Sequence, residues 1–165
     1  MKKILFVLLM LLPLAATAKS KSNVRWCTFN IRLINGDDTK TGFGWDVRKP
    51  RVAQYILDND MDVIGMQEVV YKQLTYLQEN LEGYDYIGVG RTDGKTKGEY
   101  TCIFYKKDKY EVLDQGNFWL SETPDVPGSI GWDARLERVA TWGKFRDKIT
   151  GKIFMAVNTH FDHIG

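Results

Sequence analysis

The apolar pattern of this chain changes character at Gly83, and that change limits the folds open to it. Before Gly83, strand-like and helix-like periods alternate. VRWCTFNI, residues 24–31, is rich in β-favouring side chains and reads as a strand. The Gly- and Asp-rich stretch INGDDTKTGFGWD follows as a loop, and its Asn35-Gly36-Asp37-Asp38 is a turn to which no chemistry is assigned. From Val47 to Asn59, Val52, Tyr55, Ile56 and Leu57 recur at helical spacing, with Pro50 expected in the first turn, where a missing N–H costs least. MDVIGMQEV reads as a short buried strand, and Leu74, Leu77 and Leu81 mark a second helix closed by Gly83. After Gly83 the helical period disappears. YDYIGVG, EYTCIFYKK, YEVLDQGNFWL, RVATWGKFRD and KIFMAVNTHF are β-rich segments separated by Gly, Asp, Lys and Pro, with hairpin turns expected at Lys107-Asp108 and Thr150-Gly151. The connection SETPDVPGSIGWDARLE is 17 residues long, a length typical of functional or surface-wrapping loops. Together these segments predict an α/β sandwich with β-sheets as its core and helices covering them.

The N-terminus falls outside that scheme. Lys2 and Lys3 precede an apolar run from Ile4 to Leu14, broken only by Pro13, and Ala16-Thr17-Ala18 has the small-x-small form of a cleavage site. Residues 1–18 therefore read as a secretory signal peptide, too short for a membrane span. No other stretch approaches a transmembrane length, so the mature chain, residues 19–165, is expected to be one exported domain, periplasmic or secreted, and monomeric. Its charges balance: the whole chain has 23 Lys and Arg against 21 Asp and Glu, and cleavage removes two lysines. Global basicity thus gives no support for non-specific nucleic-acid binding. A local patch of Arg91, Lys95, Lys97, Lys106, Lys107 and Lys109 reads first as solvated surface. Cys27 and Cys102 both lie in apolar, strand-like runs and suit buried free thiols better than a disulfide or a metal site.

Candidate functional residues stand at strand ends, where α/β proteins tend to place their sites. Asn30 follows WCTF, Glu68 follows DVIGMQ and His160 follows FMAVNT. Glu99 and Arg138 stand just before the strands YTCIFY and VATW. Each has a plainer reading: Glu68 and Glu99 as surface carboxylates, His160 as a satisfied core imidazole. Their types are nonetheless complementary. Glu68 suits Mg²⁺ or Mn²⁺, which take hard oxygen ligands and often only one or two carboxylates. Arg138 suits bidentate contact with phosphate. His160 and His163 are three apart on a presumed strand end, so they should face opposite sides and not share a metal.

FNIR, DVIGMQEV, GEYTCIFYKKD, FWLSETPDVPG, GWDARLERVATW and NTHFDH, in that order, resemble the endonuclease/exonuclease/phosphatase superfamily, the deoxyribonuclease-I-like metal phosphoesterases. The likeness runs from Asn23 to Gly165 and is strongest to secreted bacterial members. It implies a four-layer α/β sandwich, a divalent metal, usually Mg²⁺, and hydrolysis of a phosphoester by in-line attack of water. It also implies roles. Asn30 matches the Asn that hydrogen-bonds the phosphate or the attacking water, and Glu68 matches the metal-binding Glu. Glu99 matches a Glu that orients a histidine, Arg138 an Arg near the scissile phosphate, and His160 that oriented histidine, a phosphate binder or proton donor. Such a role suits a group that titrates near neutrality. The family's Gly-Asp-x-Asn motif and final Asp-His pair are missing from this sequence. The resemblance therefore implies the N-terminal portion of a longer protein, inactive by itself, with part of the second sheet absent and an unpaired edge. A non-catalytic binding module on the same fold is the alternative. The substrate stays open among nucleic acid, a phospholipid head group and a sugar phosphate. Phe118, Trp119 and Trp132 could stack on a base or sugar, though packing is the first reading for them.

Overall fold

The computed structural model describes residues 23–163, so the expected signal peptide lies outside the described residues. The elements, in order, are β1 (Trp26–Asn30), α1 (Gly36–Lys40), α2 (Trp45–Asp58), β2 (Val63–Gln67), α3 (Tyr71–Asn80), β3 (Tyr84–Ile87), β4 (Ile103–Lys106), β5 (Tyr110–Trp119), β6 (Val139–Asp147) and β7 (Ile153–Thr159). They form two sheets. The first has the order β1-β2-β4-β3, with β1 and β2 parallel and β4 antiparallel to both its neighbours. The second is the antiparallel sheet β5-β6-β7.

Strand β2 is apolar on both faces because both are covered. Ile64 and Met66 pack with Val52, Ile56, Leu74 and Leu77 of the two longer helices. Val63, with Ile103 and Tyr105 of β4, packs against Phe145 and Ala156 of the second sheet. The result is helices, sheet, sheet: three of the four layers expected of a deoxyribonuclease-I-like sandwich lie among the described residues. The outward face of β7 leaves Ile153, Met155 and Val157 exposed, and β1 and β7 are both edge strands here. Among the described residues no helix is long and apolar enough to cross a membrane.

Several local expectations differ from what forms. The first long helix begins at Trp45 rather than Val47, because the buried indole packs edge-on against Tyr76 of α3. Pro50 therefore sits in the second turn. The carbonyl it cannot bond is that of Asp46, and both residues are exposed, so water can take the place of the missing donor. Residues Gly36–Lys40 form a single helical turn instead of a loop, because the Asn35 side chain caps it by accepting from Asp38 N at 2.8 Å. Lys107-Asp108 is not a hairpin turn: β4 and β5 belong to different sheets, and the chain crosses between them there. Thr150-Gly151 does close the β6–β7 hairpin, with Asp147 Oδ1 accepting from both Ile149 N and Thr150 N. Cys27 and Cys102 are free thiols, and complete burial pushes the Cys102 thiol up to about 12.

Candidate active site

Parallel pairing of β1 and β2 brings their C-terminal ends to the same edge of the first sheet, and antiparallel β4 begins there. Asn30 and Glu68 meet as a result: Asn30 Nδ2 donates to Glu68 Oε1 at 2.8 Å. Leu33 N–H donates to Glu68 Oε2 at 3.1 Å, and Arg32 N–H donates to Asn30 Oδ1 at 2.9 Å. Both turns are strained. Glu68 and Arg32 each have φ of 60°, a left-handed conformation that costs a non-glycine residue about 1–2 kcal/mol. Side chains from the helices hold that geometry. Arg48 donates to the carbonyls of Ile31 and Arg32 at 2.6 and 3.1 Å, and the fully buried Gln73 donates to Arg32 O at 2.9 Å. Backbone strain held in place by surrounding side chains is a feature that clusters at functional sites.

The second sheet is locked to the first by one buried amide. Asn158 of β7 donates to Met66 O at 2.7 Å and Cys102 O at 2.9 Å, and accepts from Gln67 Nε2 at 2.7 Å. Gly65 makes room for it: a Cβ there would lie 2.9 Å from Asn158 Cγ and Oδ1. Two residues beyond Asn158, His160 is thereby brought over the ends of β1 and β2. Its Nδ1 stands 3.9 Å from Glu99 Oε2, within ion-pair range for a protonated ring but beyond a hydrogen bond, and it has no hydrogen-bond partner among the described residues. Glu99 is held on its other oxygen by an ion pair with Arg91, Nη2 to Oε1 at 2.9 Å.

Glu68, Glu99, Arg138 and His160 line one cavity of 330 Å³, with Arg91 and His163. Asn30 joins it through its bond to Glu68. The five sequence candidates therefore converge at a single place. His163 does not stand opposite His160 as strand alternation predicted, because β7 ends at Thr159 and the chain turns. Its Nδ1 lies 3.3 Å from Arg138 Nη2. Arg138 is buried and donates through Nε and Nη2 to Asp162 Oδ1, at 3.2 and 3.0 Å. Arg91, Gln67 and Gln73 were not singled out as site residues by sequence. The only signal for Gln67 and Gln73 is a polar residue where the surrounding pattern demands burial.

Burial pushes the Glu68 carboxyl up, but the Asn30 amide, the Leu33 N–H and the positive charges of His160 and Arg32 outweigh it, so it titrates below the usual carboxylate range. Glu68 is thus an ionised oxygen donor whose two oxygens each accept one hydrogen bond among the described residues, with lone pairs to spare. Among the described residues no three His, Cys, Asp or Glu side chains form a metal-holding group. This donor set fits a hard cation that keeps most of its coordination for water and substrate oxygens, as Mg²⁺ does. It does not fit zinc, which wants a closed nitrogen and sulfur shell.

The lysine-rich stretch does not form one patch. Lys106 and Lys109 are at the far end of the first sheet, paired with the buried Asp62 at 3.1 and 2.6 Å, while Arg91 is at the site. The aromatics divide too. Trp119 is packing, buried with its Nε1 donating to Arg91 O, whereas Trp132 is 71 % exposed.

Comparison with known proteins agrees with this arrangement. The model of the Endonuclease/Exonuclease/phosphatase family matches residues 27–162. The crystal structure of an endonuclease/exonuclease/phosphatase from Bacteroides vulgatus is 59 % identical, with a TM-score of 0.85, over 88 % of this chain and 55 % of that one. A mannosyl-6-phosphatase from Bacteroides thetaiotaomicron is 50 % identical, with a TM-score of 0.85, over 87 % of this chain and 53 % of that one. An uncharacterised protein of Acanthamoeba polyphaga mimivirus is 30 % identical over 81 % of this chain and 53 % of its own length. The chain therefore spans about half the length of these relatives.

Proposed function

The chain belongs to the endonuclease/exonuclease/phosphatase family, and on that premise we propose that the full-length protein is a divalent-metal-dependent phosphoesterase acting on a sugar phosphomonoester. The observation that carries this reading is the convergence of Glu68, Glu99, Arg138 and His160 on one cavity. Each supplies what phosphoryl transfer needs, which is positioning and charge stabilisation more than covalent chemistry. Glu68 would hold the cation, Mg²⁺ or Mn²⁺, whose contribution is to draw charge from a phosphoryl oxygen. Arg138, kept in place by Asp162, presents a fixed positive charge to the phosphate. His160, with Glu99 behind its Nδ1, is placed to give a proton to the leaving oxygen. Asn30 orients Glu68 and offers its amide to the phosphate or the attacking water. Export through residues 1–18 belongs to the same proposal.

The sugar monoester is favoured over nucleic acid by the similarity to a mannosyl-6-phosphatase and by the loop 121–137, which has four carboxylates against one guanidinium. That loop repels a polyanion. The test is a screen of the full-length protein against hexose 6-phosphates, single-stranded DNA, RNA and sphingomyelin, with and without EDTA. Mg²⁺-restored release of phosphate from a hexose phosphate is the expected result. No hydrolysis of any of these, with cation present, would leave a binding module on this fold and refute the enzyme.

A further inference from the structure

Arg138 lines two cavities. One is the cavity of Glu68 and His160; the other, of 510 Å³, is lined by Trp132, Asp133, Phe161 and Asp162 among others. The chain itself divides between them. His160 and His163 face the first cavity, while Phe161 and Asp162 face the second. We infer that the second cavity is a subsite for the sugar ring of the substrate, with the Trp132 indole as its platform and Asp133 as its hydroxyl acceptor. This inference rests on the proposed phosphomonoesterase reading.

Four observations support it. Trp132 and Phe161 are 71 % and 72 % exposed, so two large aromatic rings flank one hollow in contact with solvent. Next, the exposure of Trp132 is built in. Its φ is 54°, left-handed, and Gly131 beside it packs so tightly on Ser121 that an added Cβ would lie 2.2 Å from Ser121 Cα. Ala134 N donates to Gly131 O at 3.1 Å and Trp132 N to Glu122 Oε1 at 3.4 Å, so the loop is tied to itself on both sides of the ring. The shape and size also suit a small ligand, since pockets of this volume with aromatic walls and a few polar groups take such molecules. Finally, the charge pattern selects among phosphoesters. A monosaccharide phosphate brings a single anion, to the cavity of Glu68, Arg138 and His160, and the apolar C–H face of its ring can lie on the indole while a hydroxyl donates to Asp133. A nucleic-acid strand would carry further phosphates past Asp133 and past Glu122, which accepts from Trp132 N.

The experiment compares the full-length protein with its Trp132→Ala and Trp132→Phe variants. The substrates are a hexose 6-phosphate and glycerol 3-phosphate, which has the same anion and no ring. The ratio of kcat/KM for hexose 6-phosphate to that for glycerol 3-phosphate should fall about tenfold in Trp132→Ala, through KM, and recover in Trp132→Phe. An unchanged ratio overturns the subsite. So does a preference for single-stranded DNA that is lost in Trp132→Ala, which would make the platform a base-stacking one. If the wild type hydrolyses neither phosphomonoester, the function reading fails, and ligand-observed NMR with free hexose decides the subsite separately. Saturation transfer to hexose in the wild type that disappears in Trp132→Ala supports it, and no transfer in the wild type refutes it.

Discussion

Replacing Asn158 with Ala removes three buried hydrogen bonds at once, those to Met66 O and Cys102 O and the one from Gln67 Nε2. At about 1 kcal/mol net for each, the loss is about 3 kcal/mol, a large part of the stability of a single domain. For a chain of this size that corresponds to a fall in Tm of about 6–12 °C. Gly65 provides the control. A methyl group at Gly65 would strike Asn158 at 2.9 Å, so Gly65→Ala in the wild type should cost about 1–3 kcal/mol. With Asn158 already Ala the two contacts at 2.9 Å are gone and only the Cβ contact at 3.3 Å remains. Gly65→Ala should then be neutral or mildly stabilising, because a strand glycine pays more conformational entropy on folding than alanine. The pair should therefore be coupled by about 1–2 kcal/mol in a double-mutant cycle. Urea unfolding followed by circular dichroism measures all four proteins. A loss below about 1 kcal/mol for Asn158→Ala, or simple additivity of the two substitutions, would refute the claim that this amide locks the sheets together.

Other perturbations address the chemistry and the opposite end of the first sheet. Glu68→Gln keeps the shape but removes the ionised oxygens, and should lower Mg²⁺-dependent phosphate release about 10³-fold with Tm changed little; unaltered activity would refute Glu68 as the cation's ligand. His160→Ala and Glu99→Ala should each slow turnover about 10²–10⁴-fold and be strongly non-additive together, since Glu99 stands behind the His160 ring; additive losses would separate them. At Asp62, burial pushes the carboxyl up, but hydrogen bonds from Lys109, the Arg25 N–H and Lys106 hold it below its ordinary value. A lowered folded-state pKa means stability that is present above the unfolded value of about 3.9 and lost as pH falls through the folded one. Asp62→Asn should thus destabilise at neutral pH by about 3 kcal/mol and flatten the acid limb of the stability curve below about pH 4, with phosphate release at pH 7 retained in the folded fraction. An acid limb identical to that of the wild type would refute the assignment.

The order of elements and the positions of the five candidate residues beside strand ends were legible because both depend on local pattern. A strand end is visible where an apolar run meets Asn30, Glu68 or His160, and a buried strand is visible in DVIGM. What was not legible depends on pairs of segments distant in the chain. Lys107-Asp108 has the composition of a hairpin turn, yet Tyr110 is drawn into the space between the sheets and β5 pairs with β6 instead. The basic stretch from Arg91 to Lys109 looks continuous, yet antiparallel β4 carries its two ends to opposite edges of the sheet. Trp119 and Trp132 look equivalent, yet one is buried and the other, beside the close packing of Gly131 on Ser121, is exposed. The meeting of His160 with Glu68 has the same origin. Each lies at the end of its own strand, but that the two ends coincide is decided by the register of one sheet on the other. A polar residue, Asn158, and a missing side chain, Gly65, must fall opposite each other for that register to form. In a single sequence those two positions are 93 residues apart and individually unremarked. The site is assembled by that inter-sheet contact, so loosening it should impair catalysis even where the chain still folds.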